Sequence, residues 1–155
     1  MIEVHIDTSG GKRLIGLGAV VLNDGKEVIR LGTAAKPGRT TTEAEFLAVF
    51  WGIDLITSLM RSGVLEKGDG ILFHTDSTSV IDSLYEINKT RSKTSKRLAK
   101  RILTELDDMR KTGSIKFFRF TLVKGAMNKA DTVSKGSRHR WINRTKLERK
   151  SSGAS

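Results

Sequence analysis

The chain contains no cysteine, which excludes disulfide cross-links and thiolate-held metals and fits a reducing compartment. No apolar run approaches the length needed to cross a bilayer. The first residues lead directly into a strand pattern rather than a secretion signal, so a cytoplasmic location is expected. No internal repeat is visible, and the single proline sits in the loop "KPGR" (36–39). Acidic residues are scarce beside basic ones: 17 Asp and Glu against 28 Lys and Arg, for a net charge of +11.

What is present suits one domain. The chain has 155 residues, 37% of them hydrophobic, enough to bury a core. The positive charge is concentrated in two places. Residues 89–101, "KTRSKTSKRLAKR", hold seven Lys or Arg and no acid, and residues 137–155 hold six Lys or Arg and one Glu. Those two stretches total +12, which leaves −1 on the rest of the chain. Ordinary surfaces mix both signs. Single-sign clusters of this density meet phosphates. Nucleic acid is favoured over an anionic membrane, because 89–101 lacks the broad apolar face of a membrane-surface helix.

Periodicity gives the element order β-β-β-α-β-α-α-β-α. Alternation in 2–7 puts Ile2, Val4 and Ile6 on one strand face. Residues 14–23 and 26–35 read as strands joined at Asp24-Gly25, a strong hairpin signal. Thr40, Thr41 and Thr42 offer an N-cap to a helix over 43–61, with Ala44, Leu47, Ala48, Trp51 and Leu55 spaced for burial. Residues 70–77 read as a strand buried on both faces, 79–88 and 95–111 as helices, 114–123 as the last strand and 128–137 as a short final helix. The tail 137–155 has two isolated apolar residues, Trp141 and Ile142, and is expected to be mostly disordered. The expected fold is α/β: a mixed five-stranded sheet, three antiparallel strands then two parallel ones, flanked by helices.

Two strands run into acids, Asp7 in "HIDTS" and Asp76 in "FHTDS". Alone, each reads as a turn residue. If the two strands are parallel neighbours, the carboxylates meet at the C-terminal edge of the sheet, where such sheets place their sites. Like charges held together call for a cation. A third acid would come from the long helix, where Glu43 and Glu45 are both candidates that periodicity does not separate; Asp131 in "NKADTV" is a fourth candidate. Oxygen ligands without Cys or His point to Mg²⁺ or Mn²⁺. With the basic clusters, they point to phosphodiester chemistry.

"HIDTSG", "TTTEAEFLA", "FHTDSTSV" and "GAMNKAD", in this order on this element pattern, resemble the ribonuclease H type 1 family. The resemblance spans residues 2–136, so that 1–136 would be a ribonuclease H-like catalytic domain and 137–155 a basic tail. It implies a metal-dependent endonuclease that hydrolyses the RNA strand of RNA–DNA hybrids and leaves 5′-phosphates. It also selects Glu45 over Glu43 and implies Asp7, Glu45, Asp76 and Asp131 as the ligands of two Mg²⁺ or Mn²⁺ ions about 3.5–4 Å apart. In that scheme Asp7 bridges the ions, Glu45 and Asp76 hold the one facing the leaving oxygen, and Asp131 holds the one that activates water.

The resemblance also carries substrate positions. Thr40 matches a threonine that contacts DNA phosphate, and Thr41 and Thr42 stand where the family often has two asparagines that read the minor groove. Ser9 and Ser77 lie beside acids and could support ligands or substrate. Lys96, Arg97, Lys100 and Arg101 are expected to bind the hybrid's phosphates. The family's histidine ahead of the last acid has no counterpart in "VKGAMNKAD". That implies slower catalysis, or product release set by metal exchange; His74, inside a strand, is expected to be a packing residue. A monomer is expected. The alternatives are another nuclease of the same fold, such as a dimeric junction resolvase, and a catalytically weak nucleic-acid-binding module. The presence of all four acids speaks against the module.

Overall fold

Strand β1 (Ile2–Ser9) buries Ile2, Val4 and Ile6 on one face and turns Glu3, His5 and Asp7 to the other. In this computed structural model residues 1–10, 14–36 and 40–136 are described, so the tail expectation for 137–155 lies outside the described residues. β2 (Ile15–Asn23) and β3 (Lys26–Ala35) form the expected hairpin; Asp24 (φ 49°) and Gly25 (φ 80°) both adopt the left-handed conformation that a tight two-residue turn requires. Then come α1 (Thr41–Arg61), β4 (Asp69–Thr75), α2 (Thr78–Tyr85), α3 (Lys93–Lys111) and β5 (Ile115–Leu122), and residues 131–136 form a helix, α4.

The sheet has five strands in the order β3-β2-β1-β4-β5. β1–β2 and β2–β3 are antiparallel, and β1–β4 and β4–β5 are parallel. This is the mixed sheet anticipated from sequence. The main core joins one sheet face to α1, α2 and α3. A small second cluster on the other face, Val20, Leu22 and Ala130 with Val133 against it, holds the α4 region to β2.

Two burial expectations are corrected. Along α1, Leu47 is 40% exposed, and Trp51 and Leu55 are half-buried; the fully packed positions are Phe46, Val49, Ile53 and Ile56 beside Ala44 and Ala48. Gly52 explains the rotation. A Cβ there would lie 3.0 Å from Ile6 Cγ2, so the bare backbone seats the helix directly on β1. β4 is not buried on both faces either: Leu72 and His74 are half-buried, because α4 covers β2 rather than β4.

Candidate active site

Asp7 lies two residues inside β1, so the expectation that it terminates the strand is corrected. What stops near it is one ladder. The parallel pairing of β1 with β4 ends at His5↔His74, whereas the antiparallel pairing with β2 continues through Asp7↔Gly18 to Ser9↔Gly16. Asp7 and Asp76 each stand two residues past that last parallel pair, side by side where the strands part. Asp76 follows β4 directly and is half-buried.

Glu45 comes from α1, two turns before Gly52, on the helix face turned to the sheet. Thr40 caps this helix, its Oγ1 accepting from the Glu43 amide at 3.2 Å. The buried Ser77 caps α2 by accepting from the Val80 amide at 3.2 Å, and its hydroxyl donates to Glu45 Oε2. One serine therefore ties the α2 start to the α1 acid.

Asp131 opens α4. The segment before it is pinned by buried Asn128, whose Nδ2 donates to the Ile6 carbonyl at 2.9 Å and whose Oδ1 accepts from the Ala130 amide at 3.0 Å. Gly18, the β2 partner of Asp7, makes this docking possible. A Cβ on Gly18 would stand 2.5 Å from the Ala130 carbonyl and 2.7 Å from the Ser134 amide. Ser134 is fully buried, with its Oγ 2.7 Å from Asp7 Oδ2 and 2.9 Å from the Asp131 carbonyl. It has one proton for two acceptors. It donates to Asp7 when that carboxylate is ionised, and to the Asp131 carbonyl when Asp7 carries its own proton.

The electrostatics reflect this crowding. Burial, foremost, pushes the Asp7 carboxyl up from 3.8 to about 7; negative charge on Asp76 and Asp131 adds to the rise and the Ser134 hydrogen bond opposes it. Glu45 is also raised, chiefly by burial, with Ser77 opposing and Asp76 adding. Lys135 Nζ lies 2.9 Å from Asp131 Oδ2. Asp7 thus interacts with Asp76 and Asp131, and Glu45 with Asp76. An all-oxygen donor set that raises its own proton affinity is suited to a hard divalent cation such as Mg²⁺ or Mn²⁺.

The other sequence-flagged residues are dispersed. Ser9 is buried at the end of β1, Thr41 is exposed, and Thr42 is half-buried in a cleft of about 390 Å³ shared with Ser79, Lys89, Arg91 and Ser95. Lys96, Arg97, Lys100 and Arg101 line one side of an open groove of about 660 Å³ along α3, together with Glu105 and Asp108. Arg101 also lies over the Phe50 ring, 4.9 Å from its centroid, so it contributes to α1–α3 packing as well as to the charge.

His74 does pack, as expected: it stacks on His5 with centroids 4.3 Å apart. Three residues that build the site escaped the sequence reading. Asn128 stood inside the "GAMNKAD" motif; Ser134, three residues after Asp131, shares its helix face; Gly18 showed only as a glycine inside a strand, a pattern that marks close backbone approach.

The reverse transcriptase-like family model matches residues 6–135. No curated protein matches the chain in sequence. Among solved structures, ribonuclease H1 from Halobacterium salinarum superposes with a TM-score of 0.64 at 20% identity, covering 90% of this chain and 98% of its own. LC11 ribonuclease H1, isolated from compost by a metagenomic approach and solved in complex with an RNA/DNA hybrid, gives 0.68 at 15% identity, covering 92% and 99%. A ribonuclease H domain from Mycobacterium tuberculosis gives 0.65 at 17%, covering 93% and 97%. The fold is therefore that of ribonuclease H, and the chain belongs to the reverse transcriptase-like family of ribonuclease H-like proteins.

Proposed function

We propose that the protein is a metal-dependent endonuclease that hydrolyses the RNA strand of RNA–DNA hybrids. The observation that carries this reading is the convergence of acids from four separate segments of the chain, with Asp7 raised to about 7 by burial and by two neighbouring carboxylates. A cluster that opposes its own ionisation is explained by function rather than stability. Asp7, Glu45, Asp76 and Asp131 would hold Mg²⁺ or Mn²⁺. When bound, the metal supplies a Lewis acid that neutralises phosphodiester charge and lowers the pKa of the attacking water.

The chain's own residues prepare that chemistry. Ser134 donates to ionised Asp7 and fixes the direction of its carboxylate. Ser77 does the same for Glu45, and Asn128 holds the Asp131 segment against β1. Thr41 and Thr42 present hydroxyls beside the α1 start, able to hydrogen-bond a base edge or a 2′-hydroxyl. The α3 cations supply a phosphate-attracting surface separate from the acids. The hybrid bound by a structural relative of this fold supports the same substrate here.

The test is incubation of the full chain with labelled RNA–DNA hybrid, duplex DNA and duplex RNA in Mg²⁺ or Mn²⁺. Cleavage of the hybrid's RNA strand alone is expected, abolished by EDTA and lowered by several orders of magnitude in Asp7→Asn. Binding of hybrid without cleavage in either metal would replace this reading with that of a binding module.

A further inference from the structure

On the same face of β1 as Asp7, one and two alternations earlier, stand His5 and Glu3. Across the parallel ladder His5 pairs with His74. Each of Glu3, His5 and His74 offers one ligand atom, and these atoms lie within 4.8 Å of one another; the carboxylate cluster uses none of them. His5 is only 6% exposed, and both its ring nitrogens are buried with no hydrogen-bond partner among the described residues. A stacking role accounts for the ring faces, but not for two unmet polar edges.

His74 is organised as a ligand would be. Its Nδ1 lies 2.6 Å from Thr121 Oγ1, and that hydroxyl is 3.3 Å from the Phe73 carbonyl. With the hydroxyl proton directed to the carbonyl, Nδ1–H of His74 donates to Thr121, and this is the tautomer that a metal on Nε2 would select. The Nε2 lone pair then faces Glu3 Oε2 at 4.0 Å. Two acceptors at that separation sit within the span of two zinc bonds, about 2.0–2.1 Å each. A hydrogen bond that fixes the tautomer of the ligating ring is the usual outer support of a metal-bound histidine. Among the described residues Lys129 is the cation whose charge reaches both rings, and it is exposed, so solvent screens it.

We propose that Glu3, His5 and His74 form a second metal site, for a borderline transition-metal dication, Zn²⁺ first, with water completing the shell. Two imidazoles and one carboxylate select this class over Mg²⁺, which prefers oxygen alone. The site is independent of the proposed nuclease activity.

The experiment is equilibrium dialysis of the metal-stripped full chain against Zn²⁺, with melting curves alongside and Co²⁺ absorption as a probe of coordination geometry. To separate this site from the carboxylate cluster, wild type, Asp7→Asn, Glu3→Gln and His74→Gln are compared. Expected are one Zn²⁺ retained in Asp7→Asn, a dissociation constant raised at least tenfold in Glu3→Gln and in His74→Gln, and tetrahedral Co²⁺ bands present in Asp7→Asn and lost in the latter two. Glu3 is only half-buried, so its variant keeps the test valid should His74→Gln fail to fold. Zn²⁺ binding that is unchanged in Glu3→Gln, or that is absent from wild type, or that disappears in Asp7→Asn, overturns the proposal.

Discussion

Replacing Asp7 with asparagine removes one charge with almost no change in shape, and the geometry predicts that the metal-free protein gains stability. The carboxyl moves from its ordinary 3.8 to about 7 on folding. Three units at 1.36 kcal/mol each is about 4 kcal/mol, and relaxation of the site around the ionised carboxyl reduces this to about 2 kcal/mol. The sign follows from the proton. The folded state holds it more tightly than the unfolded state, so stability is full below about pH 4 and is lost as the pH rises through about 7. Asparagine has no proton to lose. In EDTA the Asp7→Asn variant should therefore match the wild type near pH 4 and exceed it near pH 8. For a chain of this size that excess is a rise in Tm of about 4–8 °C. Mg²⁺ at a hundred times its Kd should then stabilise the wild type by about 2.7 kcal/mol and the variant by much less. Scanning calorimetry across this pH range, with EDTA and with Mg²⁺, reads all of it. A Tm difference that does not change with pH, or a variant less stable than wild type near pH 8, would refute the reasoning and return Asp7 to a turn-capping role.

Neutralising Lys96, Arg97, Lys100 and Arg101 should weaken hybrid binding and flatten the plot of log K against log salt by roughly 0.9 for each phosphate no longer neutralised, measured by fluorescence anisotropy; an unchanged slope removes α3 from the interface. Gly18→Ala should lower stability by about 1–3 kcal/mol in urea titrations, because the new methyl meets backbone atoms of Ala130 and Ser134 rather than a yielding side chain. Ser134→Ala removes the hydrogen bond that opposes the rise of Asp7, so in EDTA the loss of stability with rising pH should extend to higher pH than in the wild type, read by melting curves across the pH range; an unchanged pH dependence removes Ser134 from the control of Asp7.

The parts of the fold legible in sequence were those set by neighbours in the chain. Alternation marked β1, Asp24-Gly25 marked the hairpin, and a cap threonine marked the α1 start. The rest depended on approach between distant segments. The α1 stripe was misjudged at Leu47 because Gly52 rotates the helix toward Ile6, which no period reveals. Periodicity could not choose between Glu43 and Glu45, since both begin the same helix; the choice of Glu45 came from a motif, and the Ser77 hydroxyl that reaches Glu45 comes from 32 residues away. Ser134 meets Asp7 across 127 residues, and Asn128 meets Ile6 across 122, so neither role has a local signature.

The local attachment of the Asp131 segment bears on the timing of the proposed reaction. The sheet and helices α1, α2 and α3 share one extensive core, whereas among the described residues 128–136 is held by Ala130 and Val133 on two β2 side chains, by the Asn128 and Ser134 bonds and by Arg30 on the Lys129 carbonyl. A segment attached in this way is expected to open as a unit of its own, below the global unfolding free energy. Lifting removes one of the four acids and the Asp7 hydrogen bond together while leaving Glu45 and Asp76 in place. Under the proposed function, only the docked fraction of molecules would then present all four acids, and the apparent metal affinity would be the intrinsic one scaled by that fraction.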